Sequence, residues 1–288
     1  MESPTRPQLN PLAMFMRQPK IYIRLPSKGE YWPEGSLETN ETEEYPVYSM
    51  TAQDEMLLKI PDALMSGQAV VDVIQHCMPS IKNAWHTPSI DIDVILIAIR
   101  LATYGEMMKT PIKIGDVEMD YVVDLRTVMD SLQQRITWIP YIAVNDELTL
   151  HIRPVNYKQL SQAAIQTFET QKIIQLSNNE EMSEDDKVKL FKDSFSKLTN
   201  ITIGTISSTI YKIDSSNGST DNPAFIKEFI DNVDKGIFDQ VQKHLETLKE
   251  NNAVKPVVVP VTDEMRENGV TGETIEIPLT FDVSNFFG

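Results

Sequence analysis

Few residues in this 288-residue chain have the types and spacing that chemistry requires. His76 and Cys77, with His86, come nearest to a metal cluster. Neighbours on a helix point to different faces, so His76 and Cys77 do not turn toward one tetrahedral ion, and no metal site is expected. Cys77 continues an apolar stripe and reads as buried packing, not a nucleophile. His151 and His244 stand apart, with no H-E-x-x-H pattern. Asp91 with Asp93 could be posed as an acid/base pair, yet the helix dipole already favours carboxylates in a first turn. Glu184-Asp185-Asp186 lacks the alternating ligands and central glycine of a calcium loop. Lys28-Gly29 could hold an anion through its turn, but a tight turn that needs glycine accounts for the pair without one. The stretch Gly269-Val270-Thr271-Gly272-Glu273 has no following lysine and is not a phosphate cradle. No catalytic, cofactor-binding or metal-ligating residue is assigned.

The elements that would position these residues centre on Pro46 to Gly105. Thr51 with Asp54 forms a T-x-x-D capping box opening a short helix, Ala52 to Lys59, that Pro61 stops. Ala69, Val70, Val73, Ile74 and Cys77 share one helical face and predict a helix over 66–78. Ser89 to Tyr104 is apolar nearly all round, so it is expected to be buried on every side, with Gly105 as its cap. Before this stretch, alternation at Ile21, Ile23 and Leu25 predicts a strand that pairs with Tyr45 to Tyr48. Leu12, Met14, Phe15 and Met16 give the N-terminal arm something to pack.

After it, two hairpins are expected, turning at Gly115-Asp116 and Asn145-Asp146, with a short helical turn between them. They read as one small antiparallel unit. From Asn156 the pattern changes to long helices. One spans Tyr157 to about Leu176. A second opens at Ser183 with Asp186, carries Val188, Phe191, Phe195 and Leu198 as its apolar stripe, and is read as continuing through Ile206, Ile210 and Ile213. Asp214 to Asn222 is read as loop, and one last helix runs from Pro223 to about Asn251. In it Ile226, Ile230, Val233, Ile237, Val241, Leu245 and Leu248 step by three and four, the pattern of a seam packed within the chain or against another. Val257 to Val261 and Ile275 to Val283 are extended.

The fold expected is α+β: a mixed N-terminal module of buried helices plus a small antiparallel sheet, followed by a long-helix module with C-terminal strands. Its divisions are an arm (1–20), an α+β module (21–154), a long-helix module (155–252) and extended C-terminal strands and tail (253–288). Net charge is −16, which disfavours binding to nucleic acid and to anionic membranes. A single cysteine excludes an intrachain disulfide. The first 20 residues hold no continuous apolar run and no segment reaches membrane length, so a soluble chain, cytoplasmic when made, is expected.

Four ordered pieces carry a family resemblance: Leu-Pro-Ser-Lys-Gly-Glu-Tyr-Trp (Leu25 to Trp32), Tyr-Ser-Met-Thr-Ala-Gln-Asp-Glu (Tyr48 to Glu55), Ile-Asp-Ile-Asp-Val-Ile-Leu-Ile-Ala-Ile-Arg (Ile90 to Arg100) and Ala-Thr-Tyr-Gly (Ala102 to Gly105). Together they resemble the baseplate hub assembly proteins of T-even-like contractile-tailed bacteriophages, over Ile21 to Pro154. The resemblance implies structural roles for Leu25, Pro26, Ser27, Lys28, Gly29, Thr51, Asp54, Tyr104 and Gly105. It also implies a non-enzymatic structural or assembly protein without cofactor, in the tail baseplate of the virion and in host cytoplasm during assembly. Implied partners are other hub, tail tube or tape-measure proteins, with a homo-oligomer possible and neither nucleic acid nor stable membrane insertion involved. A non-virion chaperone for tape-measure or hub proteins is the alternative. Leu279, Phe281, Phe286 and Phe287, with Ile230, Ile237 and Val241, are the candidate contact residues, because aromatic and large apolar side chains dominate interface energy.

Overall fold

The computed structural model describes residues 12, 15–114, 117–134, 138–177, 183–279 and 286–287. It begins with an antiparallel pair, β1 (Pro19–Ile23) and β2 (Tyr45–Tyr48), in which Ile21 faces Val47 and Ile23 faces Tyr45. Of the arm before it, residues 12 and 15–18 are described. Leu12, Phe15 and Met16 are exposed, and Met14 lies outside the described residues. Arg17 makes the attachment instead, donating to the Ser49 carbonyl at 2.8 Å and the His76 carbonyl at 2.6 Å.

Helix α1 (Ala52–Leu58) has the expected Thr51–Asp54 capping box. Pro61 ends that helical run but also opens another, α2 (Pro61–Met65), because proline's fixed φ suits a first helical position. Helix α3 (Gln68–Cys77) follows Gly67, whose left-handed φ of 80° sets the turn between α2 and α3. A side chain there would also collide, since a Cβ would sit 2.6 Å from the Ser161 hydroxyl. Helix α4 (Ser89–Tyr104) is the centre of the first core, and Gly105 closes it with φ 85°. Ile95, Ile97, Ala98 and Ile99 are fully buried. Each such isoleucine stabilises the fold by about 1.5–3 kcal/mol relative to exposure.

Next come β3 (Met107–Ile114) and β4 (Val117–Asp124), paired along their whole length, then α5 (Leu125–Gln134). The turn residues Gly115 and Asp116 lie outside the described residues. Strands β5 (Tyr141–Asn145) and β6 (Leu148–Ile152) form the second hairpin, whose turn falls at Asp146-Glu147. The two hairpins do not share a sheet. β3–β4 stands alone, while β5–β6 extends into a four-stranded sheet with later strands.

Helices α6 (Tyr157–Ser177) and α7 (Glu184–Thr209) form a long antiparallel hairpin. Here the expected continuation of α7 fails: Ile210 and Ile213 belong to β7 (Ile210–Ser215), which pairs with β6. The β-branched density that weakens helix there favours strand, and Leu150 facing Ile213 rewards the switch with burial. The expected loop after it is a hairpin through β8 (Gly218–Thr220), completing the order β5-β6-β7-β8. The single last helix is two, α8 (Pro223–Asn232) and α9 (Lys235–Asn252). Val233 is extended, and Asp234 caps the second helix by accepting from the backbone N–H of Gly236 and Ile237 at 2.8 and 3.2 Å. Strand β9 (Val257–Pro260), α10 (Asp263–Glu267) and β10 (Thr274–Ile277) close the described chain before Phe286 and Phe287, with β9 and β10 antiparallel.

At 51% helix and 22% strand, the strands confined to small antiparallel sheets, the fold is α+β. Among the described residues, the buried apolar side chains form three cores. One surrounds α4, one lies between the four-stranded sheet and α7–α9, and a small one joins Ile112 to Val259, Val261, Met265 and Ile277.

Candidate functional site

The motif residues converge on α4. Leu25, Pro26 and Ser27 are buried, and Lys28 and Gly29 turn the chain with φ 53° and 84°. Asp91, in the first turn of α4, reaches this turn. One carboxylate oxygen accepts from the Ser27 backbone N–H at 2.8 Å. The other accepts from the Ser27 hydroxyl at 2.5 Å and the Trp32 indole N–H at 2.8 Å. The turn does bind an anion, and the anion is the chain's own. Burial pushes the Asp91 carboxyl up to about 6 even though those three bonds favour its charged form.

Asp93 is also pushed up to about 6 by burial. Two residues apart on a helix, it points about 200° from Asp91, so the two carboxylates do not face a common substrate. With all three donors on Asp91 and no solvent exposure, its geometry is that of a structural anchor.

A second anchor lies at the other end of the core. Asp54 is 1% exposed, accepts from the Thr51 backbone and hydroxyl at 2.8 Å, and accepts from His76 Nδ1 at 2.8 Å. Burial works against its charge, but these bonds outweigh burial and hold the carboxyl below its ordinary value. Arg17 stands 3.7 Å away and stacks over the Tyr48 ring. Cys77 is fully buried and its thiol is pushed up to about 12, chiefly by burial. The remaining histidines are dispersed: His86 shares a hydrogen bond with Ser36, and His151 donates to Asp214 across the four-stranded sheet. Among the described residues, no group of three or more histidine, cysteine or acidic side chains could hold a metal ion.

The described candidate contact residues lie in or against the chain's own cores, or are half-buried. Phe286 and Phe287 are 2% and 5% exposed and belong to the core around α4. Arg100 donates to the Phe286 carbonyl, and the Tyr104 hydroxyl to that of Phe287 at 2.7 Å. Leu279 packs half-buried on the same core, and Phe281 lies outside the described residues. Ile230 and Val241 are buried in the second core, and Ile237 is half-buried. As folded, the seam of α8 and α9 faces the chain itself.

Large apolar side chains are left uncovered on several elements, among them Met56, Met65, Met107, Phe225 and those of the α6–α7 hairpin. Phe168, Val188 and Phe195 are 50%, 65% and 63% exposed, with Leu160 at 36%. Val188 and Phe195 belong to the apolar stripe of α7, and among the described residues that helix packs on the second core through its C-terminal part, Ile203 and Ile206. Sequence periodicity marks such a stripe without saying where its cover ends.

No helix among the described residues is long and apolar enough to cross a membrane. Comparison with the curated proteins and with the solved structures finds no match. The model of one family, described as T4 bacteriophage base plate protein, matches residues 16–272. It reaches well beyond the Ile21–Pro154 segment that carries the sequence resemblance, through both long helices and past β9. A chain matched over nearly its whole length, with the motif residues of that resemblance gathered around α4, belongs to the T4 bacteriophage base plate protein family.

Proposed function

We propose that this chain is a non-enzymatic structural or assembly protein of the baseplate hub, working through protein–protein contacts alone. The family match supports a place in the phage tail. The observation that carries the non-enzymatic reading is the use made of the carboxylates: Asp91 and Asp54 each bind donors of their own chain at every close contact. A general acid needs an open face toward substrate, and neither residue offers one. Hub, tail tube and tape-measure proteins are the proposed partners, and the four divisions at 20/21, 154/155 and 252/253 remain the proposed organisation.

A phage carrying a conditional null of this gene tests the proposal through electron microscopy of its lysates. Arrest before a complete tail, rescued by the gene in trans, is the expected result. Morphologically normal tails that attach and fail only at cell-wall penetration would assign the chain an enzymatic role and overturn the reading.

A further inference from the structure

We infer that the Tyr104 hydroxyl is a two-way latch on the Phe286–Phe287 tail. Glu55 and the tail compete for its one proton, so the charge of Glu55 sets how tightly the tail docks. Arg100 and Tyr104 stand four residues apart and share one face of α4, at the helix end that Gly105 closes. The tail is held on that face through its main chain and its rings. Arg100 donates to the Phe286 carbonyl, and its guanidinium lies 5.2 Å from the centres of both the Phe286 and the Tyr104 rings. Tyr104 donates to the Phe287 carbonyl at 2.7 Å. The two tail rings meet edge to face with centres 5.0 Å apart, inside the core around α4.

The competitor arrives from α1. The Thr51–Asp54 capping box fixes the first turn of that helix, and from it a Glu55 carboxylate oxygen comes within 3.0 Å of the same Tyr104 hydroxyl. A phenol carries one proton and serves one acceptor at a time. It also keeps that proton: burial first, and then Glu55, push the Tyr104 hydroxyl up to about 12. The two acceptors are unlike. A carboxylate is the stronger acceptor in kind, but Glu55 is half-buried and hydrated, whereas the Phe287 carbonyl is nearer and its residue is buried. While Glu55 holds the proton, the Phe287 carbonyl loses its donor from Tyr104, and a buried acceptor without a donor is costly. Neutralising Glu55, or drawing it away to a cation, hands the proton to the tail. The Arg100 bond to Phe286 does not pass through this proton, so the latch grades the docking rather than abolishing it.

Carboxypeptidase digestion of the 288-residue chain, followed by intact-mass spectrometry, tests the inference, because Phe287 is released only from an undocked tail. With undocking fast relative to cleavage, the release rate tracks the undocked population. Glu55→Gln should slow release of Phe287 about threefold and Tyr104→Phe should speed it by about the same factor, both with unchanged circular dichroism. An amide at position 55 donates to the Tyr104 oxygen and leaves the proton to Phe287. In the Tyr104→Phe background Glu55→Gln should have no effect, an outcome that a general change in stability does not reproduce. Should the glutamine variant fail to fold, Glu55→Ala makes the same comparison, with slower release again expected. Release from the Glu55 variant at the wild-type rate or faster, or an equal slowing in both backgrounds, would overturn the inference.

Discussion

Replacing Asp91 with alanine removes the acceptor for three buried donors at once: the Ser27 N–H, the Ser27 hydroxyl and the Trp32 indole N–H. Removing one side of a buried charged constellation costs about 3–5 kcal/mol, against a total stability of about 5–15 kcal/mol for a typical domain. The variant also has a pH signature. The Asp91 carboxyl titrates at about 6 in the fold and has an ordinary value of 3.8. A raised acid holds its proton more tightly folded than unfolded, so its contribution is fully present below 3.8 and is lost as pH rises through about 6. Between pH 7 and pH 4.5 the wild type therefore gains about 2 kcal/mol from this group, a gain the alanine variant lacks. The Asp93 carboxyl shifts the same way but is present in both proteins and cancels in the difference. Urea denaturation at the two pH values, followed by far-UV circular dichroism, should show a deficit that widens by about 2 kcal/mol on acidification. A deficit under about 1 kcal/mol at pH 7, or one that narrows toward pH 4.5, would mean that Asp91 does not anchor the Ser27–Trp32 turn.

Phe286→Ala should destabilise the chain by about 3–5 kcal/mol, read by thermal melting, because the ring fills the core around α4; an unchanged midpoint would mean that the tail does not dock there. Gly67→Ala should cost about 2–4 kcal/mol by the same assay, combining a left-handed backbone with the clash against Ser161, and Ser161→Ala should recover part of it. The Cys77 thiol should react with an aromatic disulfide reagent only as fast as the protein unfolds, since it is fully buried and pushed up to about 12; immediate stoichiometric labelling would contradict its placement.

Local pattern made much of this fold readable. An all-round apolar run can only be a buried helix, and Ser89 and Tyr104 bound α4 as its sequence suggests. Caps at Thr51 and Ser183 are local chemistry and lie where the pattern puts them. What the pattern lacks is distance. Asp91 looks like a helix-dipole carboxylate because its partners Ser27 and Trp32 are 64 and 59 residues away. The steps of three and four from Ile226 to Leu248 continue across the α8–α9 break, so only the Asp234 cap and Gly236 betray it. Asn217-Gly218 was the available signal for the β7–β8 hairpin, hidden by the helical spacing of the isoleucines before it. The terminal contact residues raise a related ambiguity: an apolar terminus reads the same in sequence whether a partner or its own chain covers it, and here Phe286 and Phe287 pack in the core around α4.

The proposed function has this chain act by being held among other tail proteins. Quantitative mass spectrometry of purified, infectious particles tests it most directly. A fixed whole-number copy count per tail, co-purifying with the baseplate after the sheath and head are removed, is predicted. Absence from the particle, with abundance in the assembling lysate, would contradict it and make the chain a chaperone that leaves before the tail is complete.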